Sequence, residues 1–274
     1  MSEAARWYRP DGLSGVEALH ANFERHAYRP HSHPTWTIAV MERGAAAFQV
    51  DARRERADDG ECFVLEPEAV HTGVPAVPEG WAYKVLYLEP ELLSAWDEQD
   101  AAAPRAARWV VFKDAALRAA MLRAHRALAE EPAGLQRDEA VLQAVETLKP
   151  HLRPGPPPAR DRVEHAAVRR AVQHLRERWD EPVPLAELAR VAQLSRFELV
   201  RRFTAQVGLP PHAFQTDLRV KAARDLLTRG HTPAQVALTC GFADQAHLTR
   251  TFRRTVGITP ARYASARTFK TAAS

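Results

Sequence analysis

Cysteine is scarce in this sequence: among 274 residues only Cys62 and Cys240 occur. Two thiols so far apart exclude a disulfide framework and a cysteine-rich metal knuckle. Both are expected to serve as small buried hydrophobes. Long apolar runs are missing as well. No stretch approaches the roughly eighteen residues that a membrane-spanning helix requires. The opening residues, MSEAARWYRPDG, lack the charged start, apolar core and small-residue cleavage site of a secretory signal. The expectation is a cytoplasmic protein with no membrane partner.

What is present suits ordinary buried cores. With 46% hydrophobic residues over 274 positions, two domains are the natural division. The net charge of +4 conceals an asymmetry. Residues 160–274 carry 20 Lys and Arg against 10 Asp and Glu, a net +10, which leaves 18 against 24, or −6, for residues 1–159. A basic half beside an acidic half points to a polyanion for the C-terminal part alone, because cationic side chains gain from counterion release at phosphates. A solvated arginine-rich surface would give the same numbers.

The segment HLRPGPPPAR, 151–160, is half Pro and Gly and cannot continue a helix. Before it, 114–129 and 136–152 are rich in Ala, Leu, Arg and Glu and read as two helices around the turn EEPAG. Leu117, Met121, Ala124 and Leu128 form one apolar stripe, and Val141, Val145, Leu148 and Leu152 another. Such stripes either pack on their own domain or form a dimer interface; the second is the expectation. From Trp36 to Leu88 the pattern changes to the short runs WTIAVM, AAAFQV, CFVL and YKVLYL, separated by Gly, Asp and Pro, as in an antiparallel barrel.

An internal repeat is the strongest signal. LARVAQLSRFELVRRFTAQVGLPP (188–211) and VALTCGFADQAHLTRTFRRTVGITP (236–260) align at an offset of 48 that becomes 49 after one insertion. Each copy predicts a short helix, 185–192 or 233–239, then a tight turn at Gln193 or Gly241. A second helix follows, capped by Ser195 or Asp244. Leu199, Phe203 and Val207, or Leu248, Phe252 and Val256, form its buried face, and the opposite face is left to enter a major groove. Residues 212–229 read as one long joining helix with a stripe of Phe214, Leu218, Ala222 and Leu226 and a stop at Gly230.

With RVKAARDLL, AxxxGFxDQxHLTRTFRR and the closing GITPARYA, the region 168–263 resembles the AraC/XylS family of transcription regulators. The resemblance implies two helix-turn-helix units reading adjacent major-groove segments of promoter DNA. Carried over by position, the base-facing residues are Arg196, Phe197, Val200 and Arg201 in the first unit, and Gln245, Ala246, Thr249 and Arg250 in the second. Arg201 and Arg250 suit guanine, Gln245 adenine and Thr249 a thymine methyl. Val200 and Ala246 are short and apolar where polar readers are common, which leaves apolar contact or DNA shape. Arg202, Arg253 and Arg254 are assigned to phosphates.

The N-terminal phrases RPHSHPTW and GECFVLEPEAVHTG resemble the cupin-like sensory domain of the same family over about residues 23–88. That implies a small β-barrel with a ligand pocket. His31 and His33 precede one strand and His71 follows another, so the three can meet at one mouth. They could ligate a transition metal. Metal cupins, however, carry a Glu four or five residues after H-x-H, where this chain has Thr37 and Ile38. The expectation is an effector site of His31, His33, Trp36, His71, Trp81 and Tyr83, with no metal, no cofactor and no catalytic residue. Two alternatives stay open, a metal-dependent enzyme fused to a DNA-binding module and a barrel that only oligomerises.

The whole reads as an α+β multidomain protein. A cupin-like barrel occupies 1–112 and a dimerising helical hairpin 113–152. A Pro-rich linker covers 153–160, and an all-α domain of two helix-turn-helix units joined by a long helix covers 161–274. Its expected partners are double-stranded promoter DNA, a small-molecule effector, a second copy of the chain and RNA polymerase.

Overall fold

The computed structural model describes residues 4–50, 53–94, 104–107, 110–130, 134–154 and 166–268. The predicted linker therefore lies almost wholly outside the described residues. The chain divides into two compact units, one of residues 1–27, 33–158 and 265–274, the other of 28–32 and 159–264.

Strands dominate the first part of the chain: β1 (Ala4–Arg9), β2 (Val16–Phe23), β3 (Tyr28–His31), β4 (Trp36–Val50), β5 (Arg53–Asp58), β6 (Cys62–Leu65), β7 (His71–Pro75) and β8 (Trp81–Leu88). Then come α1 (Pro90–Ser94), β9 (Pro104–Ala107), β10 (Val111–Phe112), α2 (Ala115–Glu130), α3 (Leu135–Leu148) and β11 (Leu152–Pro154). The main sheet runs β10-β6-β4-β8-β2-β1 and ends on β12 (Arg267–Thr268). β5 and β7 both pair with β4, and β11 pairs with β9.

β4 organises the barrel. Its first half, from Trp36 to Gly44, lies antiparallel to β8, and its second half, from Ala45 to Val50, lies antiparallel to β5. The runs WTIAVM and AAAFQV are thus one bent strand and not two. Gly44 makes the bend possible: its φ is +73°, and a Cβ there would stand 1.9 Å from the carbonyl oxygen of Gly80. The chain therefore turns from one sheet face to the other without leaving the ladder.

α2 and α3 cover one face of this sheet. Trp36, Ile38, Val40, Val64, Leu86 and Leu88 share one apolar cluster with both helical stripes. All eight stripe residues are at most 5% exposed. They cannot be the surface on which two chains meet, and this overturns the reading of the stripes as a dimer interface. Helical periodicity identifies a buried face but not what buries it; here the partner is the domain's own sheet. Burying each of the Leu, Met and Val side chains of the stripes contributes roughly 1.5–3 kcal/mol, which fixes the helices in place. α3 stops at Leu148, short of the predicted 152, because Pro150 has no N–H to continue the ladder.

Among the described residues seven helices make the second part: α4 (Ala166–Glu177), α5 (Leu185–Ala192), α6 (Arg196–Val207), α7 (Pro211–Thr228), α8 (Pro233–Thr239), α9 (Gln245–Val256) and α10 (Pro260–Ala264). α7 is the long joining helix. Its predicted stripe is only half-buried, whereas Gln215, Val220, Ala223 and Leu227 are fully buried. α7 packs on α4 and α6 of the first helical unit and on α8, α9 and α10 of the second. A helix covered from several sides shows no single apolar stripe.

The two cysteines sit in separate units and are buried thiols. Desolvation pushes the Cys62 thiol up to about 12 and the Cys240 thiol up to about 11. Both stay protonated and unreactive.

Candidate nucleic-acid interface and effector site

The duplicated sequence builds duplicated geometry. In the first copy the Leu194 N–H donates to Ala189 O at 3.0 Å, and in the second the Phe242 N–H donates to Ala237 O at 2.9 Å. Both turns use a left-handed residue, Gln193 at φ 58° and Gly241 at φ 68°. Glycine is required only in the second, where a Cβ would stand 1.8 Å from Asp180 O. Gln193 is exposed, so its Cβ is accommodated and only the backbone penalty of a non-glycine residue remains.

The second helix of each unit begins on the predicted cap. Ser195 Oγ accepts from the Glu198 N–H at 3.2 Å, and Asp244 Oδ1 accepts from the His247 N–H. Each ends on a left-handed glycine, Gly208 or Gly257. Leu199, Phe203, Leu248 and Phe252 are fully buried, Val256 is buried, and Val207 is half-buried. With that face anchored, the opposite face points outward. Arg196, Phe197, Arg201, Gln245, Ala246 and Arg250 are exposed, while Val200 and Thr249 are half-buried. Phe197 is 80% exposed, unusual for an aromatic side chain outside a binding surface. Arg253 and Arg254 are exposed near the end of α9, and Arg202 is half-buried on α6.

Two residues here escape sequence reading. The Glu198 carboxylate accepts from Arg201 Nε at 3.0 Å and from Arg201 Nη2 at 2.7 Å, and also from Arg202 Nε. Its spacing of three and four residues before two arginines was the available signal. Arg219 of α7 donates to Trp179 O at 2.8 Å, to Gly241 O at 2.7 Å and to Glu181 O at 2.8 Å. It ties the loop ahead of the first unit to the turn of the second. Its partners are backbone carbonyls distant in sequence, so no local pattern announces it.

At the N-terminal site, His33 and His71 come together, with ring centres 5.2 Å apart. Both are buried, and so is His31, which belongs to the other compact unit. His31 Nδ1 donates to Arg29 O at 2.7 Å and His71 Nδ1 donates to Ala69 O at 2.9 Å. A carbonyl can only accept, so the ring hydrogen of both residues is held at Nδ1. The same tethering orients histidines that bind metals and histidines that receive a hydrogen bond from a ligand.

The aromatic expectations divide. Trp81 and Tyr83 stack with ring centres 4.6 Å apart, and Trp81 also reaches Phe23. Trp36 lies in the apolar cluster with α2 and α3. Tyr87, which sequence reading passed over, meets His33 in an edge-on arrangement with ring centres 5.1 Å apart.

Residues 13–145 match the model of an AraC-like ligand binding domain, and residues 188–266 match that of a helix-turn-helix domain. The chain belongs to the AraC family of transcription regulators. It is a DNA-binding regulator with an N-terminal ligand-binding domain. It is 25% identical to the HTH-type transcriptional regulator YbfI of Bacillus subtilis over 257 residues, 90% of this chain and 91% of that one. Over 99 residues it is 31% identical to the regulator MtrA of Neisseria gonorrhoeae, which covers 35% of this chain and 31% of that protein. Its fold resembles that of ToxT from Vibrio cholerae. One apo crystal structure of ToxT aligns with a TM-score of 0.57 at 11% identity, covering 93% of this chain and 98% of that one. A ToxT structure with a bound unsaturated fatty acid aligns at 0.54 and 11%, covering 97% and 95%. Among the described residues no helix is long and apolar enough to cross a membrane.

Proposed function

We propose that this regulator binds promoter DNA through the outward faces of α6 and α9, and that a small polar molecule at His33 and His71 modulates that binding. The observation that carries the first half is the pair of capped helices, each anchored by a buried Leu and Phe and each presenting an exposed arginine. Such a helix offers donors to base edges while its flanking arginines meet phosphates. We assign Arg196, Phe197, Val200, Arg201, Gln245, Ala246, Thr249 and Arg250 to bases, and Arg202, Arg253 and Arg254 to the backbone.

The second half rests on the paired imidazoles of His33 and His71. Two buried histidines, one with its tautomer held by a carbonyl, can receive hydroxyl or amino groups of an effector, and nearby aromatic rings supply apolar contact. ToxT, the relative in fold, has been crystallised with a fatty acid, which supports a small organic molecule as the kind of ligand this barrel holds. We assign no catalytic step to the site. We further place the protein in the cytoplasm, as a homodimer that contacts RNA polymerase. With the helical stripes buried, the exposed Leu135 and Leu142 of α3 are what remains for a dimer contact on that hairpin.

The test is to select duplexes from fragmented genomic DNA with the purified chain, then screen metabolites for those that raise its unfolding temperature and alter DNA binding. His33→Ala and His71→Ala should abolish the response and leave DNA binding intact. Failure to retain any sequence would overturn the DNA-binding reading. Stoichiometric zinc, iron or manganese, lost in His33→Ala, would replace the effector by a metal.

A further inference from the structure

We propose that Glu198 is a specificity-determining positioning residue: its carboxylate holds Arg201 in the orientation that reads a guanine and, by taking Arg202 Nε, weakens but does not abolish the phosphate contact of Arg202. The proposal rests on the DNA-binding reading above and deepens it.

Glu198 is itself well fixed. Its main-chain N–H donates to the cap, Ser195 Oγ, so the first turn of α6 sets where the carboxylate stands. Arg201 presents Nε and Nη2 to the two carboxylate oxygens, Nε to Oε2 and Nη2 to Oε1. This is a side-on fork between two planar groups. A guanidinium has five N–H bonds. The fork uses two and leaves both hydrogens of Nη1 and one of Nη2. Those two nitrogens form the end-on edge that spans O6 and N7 of guanine in the major groove. The Arg201 side chain is 61% exposed, so that edge is open to a ligand. Glu198 therefore directs Arg201 without consuming it.

The pair is poorly explained as a stability device. Exposed ion pairs add little to a fold. An arginine that must lose its rotamer freedom on binding is a weaker reader than one held in place beforehand, and the fork removes part of that loss before DNA arrives. The position also has a drawback, since a carboxylate beside DNA is repelled by phosphate; its place in the first turn of α6, where an acidic side chain suits the helix N-terminus, offsets part of it. Its two arginines hold Glu198 down at about 2, so it stays anionic at every pH where DNA is a duplex. It also occupies Arg202 Nε, which would otherwise serve sequence-independent binding.

The second unit is the internal control. At the matching place, 49 residues on, stands His247. Its Nδ1 accepts from the Ala243 N–H at 3.4 Å and its ring stands perpendicular to that of Phe242. No carboxylate lies within ion-pair distance of Arg250 among the described residues. The two guanine-suited arginines thus differ in whether they are held.

The experiment uses the full chain and a duplex selected in vitro from a randomised library. Base-by-base substitution first locates the guanine whose replacement weakens the wild type but not Arg201→Ala. Glu198→Gln should then lower affinity for the selected duplex about tenfold and reduce discrimination at that guanine. The same variant should bind random duplex several-fold more tightly. In the Arg201→Ala background, Glu198→Gln should change discrimination no further. Equal tightening on both duplexes would make Glu198 only an electrostatic brake and overturn the proposal. So would unchanged base preference, or a selected duplex with no guanine dependent on Arg201. Recovery of no preferred duplex by the wild type would instead sink the DNA-binding reading itself.

Discussion

Arg219 Nη1 donates to the carbonyl oxygen of Gly241 at 2.7 Å, joining the middle of the linking helix to the turn of the second unit. The same guanidinium bonds Trp179 O and Glu181 O, and burial lowers its affinity for its proton, so it is a partly desolvated charge satisfied by main-chain carbonyls. Arg219→Ala should cost about 2 kcal/mol in the unfolding of the helical domain. It should also blur the spacing between the two reading helices. Duplexes with one base pair inserted between the two contacted segments should be rejected by the wild type and tolerated by the variant. Equal rejection by both would remove Arg219 from this role.

The two turns should respond oppositely to exchange. Gly241→Ala places a Cβ against Asp180 O at a backbone angle that disfavours side chains, and should destabilise by about 2 kcal/mol or more. Gln193→Gly relieves a left-handed non-glycine residue and should stabilise by up to about 1 kcal/mol. Chemical denaturation of the two variants compares them directly.

Base and phosphate contacts separate by mutation. Arg250→Ala should lose about 1–3 kcal/mol on the selected duplex and relax preference at one position. Arg254→Ala should weaken all duplexes alike and reduce the slope of log affinity against log salt by about 1. A uniform loss for Arg250→Ala would reassign it to the backbone.

His125 supplies a pH signature for the barrel domain. Its ring is fully buried in α2, and desolvation pushes it down to about 3, from 6.5 in a solvated histidine. The folded state therefore refuses a proton that the unfolded chain accepts. Its contribution is fully present above pH 6.5 and is lost as the pH falls from there toward 3, at up to about 1.4 kcal/mol per unit. His125→Met should flatten this acid limb in thermal unfolding measured between pH 7 and 5. An unchanged slope would show that other groups set it.

Much of the helical domain was legible because its signals are local. The repeat, the caps at Ser195 and Asp244 and the glycines after each second helix depend on neighbours within a few residues. The barrel was less so. β1 and β2 were passed over because AARWYR and VEALHANF interleave alanine and charge with their apolar residues and lack a long β-branched run. β4 was divided in two because Gly44 reads as a stop, and only the close approach of Gly80 shows it to be a bend. The stripes of α2 and α3 named buried residues correctly and their partner wrongly. The three histidines stand out in the phrases RPHSHPTW and EAVHTG, which resemble a cupin motif, whereas Tyr87 in the barrel and Arg219 in the helical domain depend on contacts that no local spacing encodes.

The two copies of the reading unit no longer match: Arg196, Phe197, Val200 and Arg201 stand where Gln245, Ala246, Thr249 and Arg250 stand in the other. A single chain therefore has a head and a tail along the duplex. The sequence it prefers need not be a palindrome, and turning that sequence end for end creates a different address. Between two divergently transcribed genes, such a protein could tell upstream from downstream without a second subunit.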